Sequence, residues 1–274
     1  LNGGADQAFF TIDESSGILV FQSSPDFENP DDSDANNIYH VTVRVEDGKG
    51  YYDEQSLTIS VLDIDEAPII SSNSGSEETT LSIFENDSFV CKIEATDQDG
   101  GTLSYSISSG DDLELFSINP SSGNLVFQSP PDFENPTDVN ANNVYEVIVR
   151  VTDSTGLFDE QKINVEVLDV NEHPVIISND SKDLGFIGLN ENISSIALLQ
   201  AYDQDDDPLV FSISGGEDRN KFNINPSTGA LTFVNPRDFE TPGDQGQDNS
   251  YKVKIKVTDS GGLFDEQHLT VTVN

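Results

Sequence analysis

The chain has 274 residues, enough for two or three domains of ordinary size. It carries 51 acidic against 12 basic residues, a net charge of −39, which disfavours a surface for nucleic acid or anionic membrane. Cys91 is the single cysteine, so no intrachain disulfide forms, and neither a signal peptide nor an apolar run of about 18 residues is present.

From the N-terminus, FTIDESSGILVFQS begins at Phe10, followed by Asp26-Phe27-Glu28 and the loop NPDDSDANN at 29–37. Next comes an alternating strand with Tyr39, Val41, Val43 and Val45 on one face, then Asp47, and a last strand with Leu57, Ile59 and Val61. The acidic stretch Asp63-Ile64-Asp65-Glu66-Ala67-Pro68 closes the series. The same order then restarts. FSINPSSGNLVFQS begins at Phe116 and FNINPSTGALTFVN at Phe222, a period of 106 residues. A period of that size is a domain, because solenoid repeats run to about 20–50 residues.

The middle unit reads as seven strands: 81–84, 88–95, 102–107, 115–118, 124–129, 144–151 and 162–168. Gly, Pro, Asn and Asp clusters separate them. Tyr145, Val147, Val149 and Val151 repeat the alternation, as do Ile163, Val165 and Val167; the third unit does so from Tyr251 to Val257 and from Leu269 to Val273. The expected fold is all-β, with tandem seven-stranded immunoglobulin-like Greek-key sandwiches in a linear array. The expected domains are 1–66, lacking its first strands; 67–172, complete; and 173–274, ending before its acidic linker. Cys91 is expected in a core. Lys252, Lys254 and Lys256 read as a solvated outer face rather than a partner site. Sequons at Asn86, Asn179 and Asn192 are of a kind common by chance in Asn- and Ser-rich chains.

The acids recur at fixed places: Glu85-Asn86, Asp97-Gln98-Asp99, Asp132-Phe133-Glu134, Asp153 and the linker Asp169-Val170-Asn171-Glu172-His173-Pro174. Residues i and i+2 of an extended segment point the same way, so Asp-x-Asp and Asp-x-Glu each offer two carboxylates to one place. Several such pairs repel unless a cation joins them. Calcium suits them, taking about 6–8 oxygen ligands. The loop after Asp-Phe-Glu reads as a solvated turn, with an extra cation site as its alternative.

This pattern resembles tandem cadherin repeats along the whole chain, with the long loop after Asp-Phe-Glu similar in style to repeats of large bacterial surface adhesins. The resemblance implies calcium ions between consecutive repeats, two or three per complete joint. By position, one joint would use Glu85, Asp132, Glu134, Asp169, Asn171 through its backbone oxygen, Glu172, Asp203, Asp205 and Asp259. The other would use Asp26, Glu28, Asp63, Asp65, Glu66, Asp97, Asp99 and Asp153. Glu66 and Glu172 stand where the family usually has Asp, and Phe stands at the centre of Asp-Arg-Glu. The absence of Trp excludes the family's tryptophan strand exchange in this segment.

The implied function is a calcium-stiffened piece of an extracellular or cell-surface adhesion protein. Its partners would be neighbouring repeats, and other copies of itself or a surface glycan or protein. A β-sandwich array binding carbohydrate or protein, with calcium purely structural, is the second reading. Catalysis by paired carboxylates is disfavoured because every unit carries the same set, and His40, His173 and His268 form no ligand cluster.

Overall fold

The structure, a computed structural model, describes residues 1–178 and 184–274; the Asn179 sequon lies outside the described residues. All extended elements are β-strands, and the only helical elements among the described residues are short 3₁₀ turns. None is long and apolar enough to cross a membrane. The described chain packs as two compact units, Leu1–Pro131 with Thr137–Val167, and Asp132–Pro136 with Leu168–Asn274.

In the first unit, Glu78–Phe84, Phe158–Leu168, Val144–Thr152 and Ser104–Ser109 form a four-stranded sheet in that order. Phe116–Ile118, Asn124–Phe127 and Phe89–Lys92 form a three-stranded antiparallel sheet. The alternation in Val144–Thr152 decides which side is buried: Tyr145, Val147, Val149 and Val151 have no solvent exposure. From the other sheet, Phe116, Leu125 and Phe127 are also buried, and the Tyr145 ring meets Phe127 edge-on at 5.0 Å. The Tyr145 hydroxyl accepts a hydrogen bond from Thr137 N at 3.2 Å, tethering the loop to the core.

The segment 88–95 was expected as one strand but is two. Phe89–Lys92 pairs with Asn124–Phe127, whereas Ala95–Thr96 pairs with Ile69–Ile70. The chain changes partner between them, at the fully buried Ile93. Cys91 is half-buried, and burial pushes its thiol up to about 11.

The same unit holds the paired strands Phe10–Ile12 with Leu19–Phe21, and Ile38–Glu46 with Tyr52–Ser60. Their core is Phe10, Tyr39 and Val41. Val45 is 70% exposed, although Val151 and Val257, its repeat equivalents, are fully buried.

The second unit repeats the architecture. Leu184–Leu189, Phe264–Val273, Ser250–Thr258 and Val210–Gly215 form one sheet, in which the first pair is parallel and the others antiparallel. Ser195–Leu198, Ala230–Phe233 and Phe222–Ile224 form the second. Leu231 and Phe233 from one sheet share a core with Val253, Ile255 and Leu269 from the other. The lysine stripe is a solvated face whose charges are met: Lys252 pairs with Glu217 at 3.0 Å, and Lys256 lies 3.8 Å from the Phe264 ring centroid.

The loop after Asp-Phe-Glu is not a plain solvated turn, because two buried acids organise it in every repeat. Asp112 accepts Val139 N at 2.9 Å and Glu146 N at 2.8 Å. Asp138 accepts Asn142 N at 2.9 Å and Asn143 N at 3.3 Å. The pairs Asp6/Asp32 and Asp218/Asp244 make the equivalent bonds. Both oxygens of each carboxylate thus cap backbone donors that would otherwise be unsatisfied. Close approach at the start of this arrangement requires glycine: a Cβ on Gly216, whose φ is +106°, would sit 2.5 Å from Lys252 O.

Candidate metal centre

Around the linker 63–66, all in the first unit, the Asp-x-Asp turn meets the linker backbone. Asp99 N donates to Asp97 Oδ1 at 3.0 Å, and Glu66 N donates to Asp99 Oδ2 at 2.7 Å. Asp26 Oδ1 accepts Glu28 N and Asn29 N, each at 3.1 Å, an Asx turn that orients the Asp-Phe-Glu pair. Asp153 Oδ1 caps its own turn, accepting Thr155 N at 2.8 Å, Gly156 N at 2.7 Å and Leu157 N at 2.9 Å. Asp65 accepts the Thr155 hydroxyl. Carboxylate oxygens of Glu28, Glu66 and Asp99 lie within 4.8 Å of one another.

The linker 169–172 repeats this in the second unit. Asp205 N donates to Asp203 Oδ1 at 3.2 Å, and Glu172 N to Asp205 Oδ2 at 2.8 Å. Glu134, Asp169 and Asp205 bring oxygens within 4.8 Å of one another. Asp132 Oδ1 accepts Asn135 N at 3.1 Å. Asp259 Oδ1 accepts Gly262 N at 2.6 Å and Leu263 N at 2.8 Å, while Asp259 Oδ2 accepts the Asn171 side-chain amide at 3.1 Å. The expectation for Asn171 concerned its backbone oxygen alone; its side chain also ties the linker to Asp259. Glu85 belongs to the first unit, following Glu78–Phe84, and is 3% exposed. A third group, Glu191, Asp238 and Glu240, assembles within the second unit, with Glu191 Oε2 accepting Phe239 N at 3.0 Å.

The electrostatics are those of acids held together without a counter-charge. Burial, the nearby Asp63 carboxyl, and the charges of Glu66 and Asp99 hold Glu28 above its ordinary value; hydrogen bonding to its own backbone opposes them. Glu66 is raised by burial and by Asp99, Asp63, Asp26 and Asp65. Asp203 is raised by burial and by Asp205 and Asp207, against the backbone bonds it accepts. Asp153 goes the other way: burial opposes its ionisation, but the bonds from its turn together outweigh that cost and lower it.

The donor set fits a hard cation. Asp97, Asp99, Asp153, Asp203 and Asp205 each give one oxygen to a backbone N–H, while the other oxygen is buried with no hydrogen-bond partner: Oδ2, Oδ1, Oδ2, Oδ2 and Oδ1 respectively. Buried carboxylate oxygens are costly unless paired or coordinated. Sequence reasoning missed two contributors. Gln98, between Asp97 and Asp99, donates to Asp26 Oδ1 at 3.2 Å and Glu28 Oε2 at 3.3 Å. Gln204 donates to Asp132 Oδ1 at 3.2 Å and Glu134 Oε2 at 3.5 Å. The recurrence of Gln at the centre of both Asp-x-Asp motifs was the available signal.

Two-sheet sandwiches in sequence repeat, with carboxylates gathered at the linkers, define an all-β tandem-repeat protein of the immunoglobulin-like class. The Cadherin domain model matches residues 79–168 and 187–274, and the chain belongs to the cadherin family. Protocadherin Fat 1 of Homo sapiens is 26% identical over 279 residues, covering 94% of this chain and 6% of that protein. The Fat-like cadherin-related tumor suppressor homolog of Drosophila melanogaster is 26% identical over 302 residues, covering 98% of this chain and 6% of that protein. The chain therefore spans 6% of the length of each. Among solved structures, human CDH23 EC21-23 aligns with a TM-score of 0.60 at 20% identity, covering 96% of this chain and 81% of that one. Mouse Cadherin-23 EC22-24 gives 0.52 at 20%, covering 99% and 84%. At that identity the structural matches show the fold. The likeness to bacterial surface adhesins finds no support in these relatives, which are animal proteins.

Proposed function

We propose that the chain is a calcium-binding cadherin segment of an extracellular, cell-surface adhesion protein, in which cations at the linkers fix the angle between successive repeats without chemical turnover. The observation that carries this is the set of half-anchored aspartates: Asp97, Asp99, Asp153, Asp203 and Asp205 each hold one oxygen on a backbone N–H and leave the other buried and unbonded. Asp97 matches Asp203, and Asp99 matches Asp205, one period apart, so the arrangement belongs to the linker and not to one local turn.

In this reading Asp26, Glu28, Asp63, Asp65, Glu66, Asp97, Asp99 and Asp153 serve the linker at 63–66. Asp132, Glu134, Asp169, Asn171, Glu172, Asp203, Asp205 and Asp259 serve that at 169–172, and Glu85 is added to them by the family pattern. A complete joint would hold two or three ions. Bound calcium would supply the positive charge that gathers these acids. The adhesive contact would be with other copies of the protein or with a surface glycan or protein.

Calorimetric titration of calcium into metal-free protein, paired with small-angle scattering before and after chelation, tests the reading. Saturable binding, with a looser particle and faster proteolysis at 63–68 and 169–174 after chelation, is the expected result. No heat of binding, together with superimposable scattering curves, would overturn it.

A further inference from the structure

The acids of the linkers account for charge but not for how the Asp-Phe-Glu pair is held ready. In each motif the first Asp makes an Asx turn that fixes its own Oδ1, and the Glu side chain, with three rotatable bonds, has more freedom to lose. An amide from the Asp-x-Asp motif reaches both acids. Gln98 Nε2 bridges Asp26 Oδ1 and Glu28 Oε2; Gln204 Nε2 bridges Asp132 Oδ1 and Glu134 Oε2. The two bridges use the same atoms, lie 106 residues apart, and differ in length by no more than 0.2 Å.

We infer that Gln98 and Gln204 are positioning residues for the cation: one neutral amide clamps both carboxylates of Asp-Phe-Glu onto the Asp-x-Asp turn before metal arrives. The inference rests on the calcium reading above. The chemistry favours glutamine specifically. The –NH₂ group has two protons, one for each carboxylate, and no net charge, so it orders both acids without cancelling the charge that attracts the ion. Lysine at this place would make stronger bonds to the same oxygens, but would neutralise one of the charges the cation needs. Glutamate would place a further like charge against the two carboxylates that the amide now bridges. The flanking acids stay free for metal because their anchors come from elsewhere: Glu172 N holds Asp205, and Asp205 N holds Asp203. Residues that orient metal ligands through hydrogen bonds typically change affinity about 10–100-fold when removed.

The test uses the full chain with Gln204→Ala, Gln204→Lys and Gln204→Glu, measuring calcium affinity by calorimetry and the melting temperature of the metal-free protein. The expected pattern is a split. Gln204→Ala weakens binding about tenfold or more at one class of site. Gln204→Lys also weakens binding, yet raises the metal-free melting temperature above wild type. Gln204→Glu lowers the metal-free melting temperature. A purely structural role would move both readouts together, with lysine restoring affinity along with stability, and that result would overturn the inference. Equal calcium affinity in wild type and all three variants would overturn it as well. Failure of wild type itself to bind calcium would instead sink the calcium reading on which it stands.

Discussion

The backbone N–H of Glu172 donates to Asp205 Oδ2 at 2.8 Å, and Glu66 makes the same bond to Asp99 at 2.7 Å one period earlier. A linker residue thus holds an acid of the following repeat by one oxygen, so the linker path is coupled to the Asp-x-Asp motif by a charge-assisted bond of ordinary length. The other oxygen of each Asp is the one left buried and unbonded.

Asp205→Asn separates these two functions. An asparagine can keep its carbonyl oxygen on Glu172 N, but it replaces the unbonded oxygen with an amide and removes a charge. Calcium affinity at this linker is expected to fall about tenfold or more, while the metal-free melting temperature stays level or rises because repulsion with Asp203 is relieved. Calorimetry and thermal melts on the same samples check this. A parallel fall in both would show that Asp205 is chiefly a structural acceptor.

The two linkers solve one packing problem with different pairs. At the first, Asp65 accepts the Thr155 hydroxyl. At the second, Asn171 donates to Asp259 at 3.1 Å, and Gly261 stands where Thr155 would be. A Cβ on Gly261 would lie 2.6 Å from Asn171 Oδ1, so Gly261→Ala must displace the asparagine. That variant is expected to lower calcium affinity. Combining Asn171→Asp with Gly261→Thr reproduces the first pairing and should recover most of the loss. A double-mutant cycle measures the coupling; strictly additive effects would contradict it.

Asp112 is a staple and not a ligand, and its removal should cost stability with no direct effect on the linkers. Asp112→Ala leaves Val139 N and Glu146 N without their acceptor in a buried place. Each unsatisfied donor costs about 1–3 kcal/mol. Urea denaturation should show a midpoint well below wild type, and Asp112→Asn, which keeps one acceptor, should lie between the two. Calcium affinity measured below the unfolding transition should match wild type.

How far the fold could be read in advance depended on burial. Val144–Thr152 was legible because one face is fully buried, so Tyr145, Val147, Val149 and Val151 are apolar without exception. The break after Lys92 was not legible. Ile93 is as apolar as its neighbours, and only the change of pairing partner separates Phe89–Lys92 from Ala95–Thr96. Among the acids, spacing was informative but role was not. Asp97 and Asp112 are the same residue type in the same repeat, yet one leaves an oxygen unbonded and the other gives both to backbone N–H groups. Gln98 escaped notice as the middle residue of a motif defined by its ends. Its contacts depend on the Asp-Phe-Glu loop 70–72 residues away, which local pattern does not report.

The loop staples also set how the protein responds to acid. For Asp6, burial opposes ionisation, but the bonds from His40 and Ser33 outweigh it and hold the carboxyl below its ordinary 3.8. Asp32 and Asp244 show the same balance, against bonds from Asn36 and Asn37 and from Asp248 and Asn249. A carboxyl whose folded value is depressed binds protons more readily in the unfolded chain. Its stabilisation is complete above the ordinary value and is lost as pH falls through the depressed folded value. Because Asp6, Asp32 and Asp244 are held low in this way, the loss is expected below about pH 3.8 and not around neutrality. Urea midpoints of metal-free protein, followed from about pH 6 to about pH 2, should drop steeply only in that acid range. Asp244→Asn should start lower and fall less steeply there, since one titrating staple is gone. A variant curve parallel to wild type throughout the acid range would show that Asp244 does not couple folding to protons.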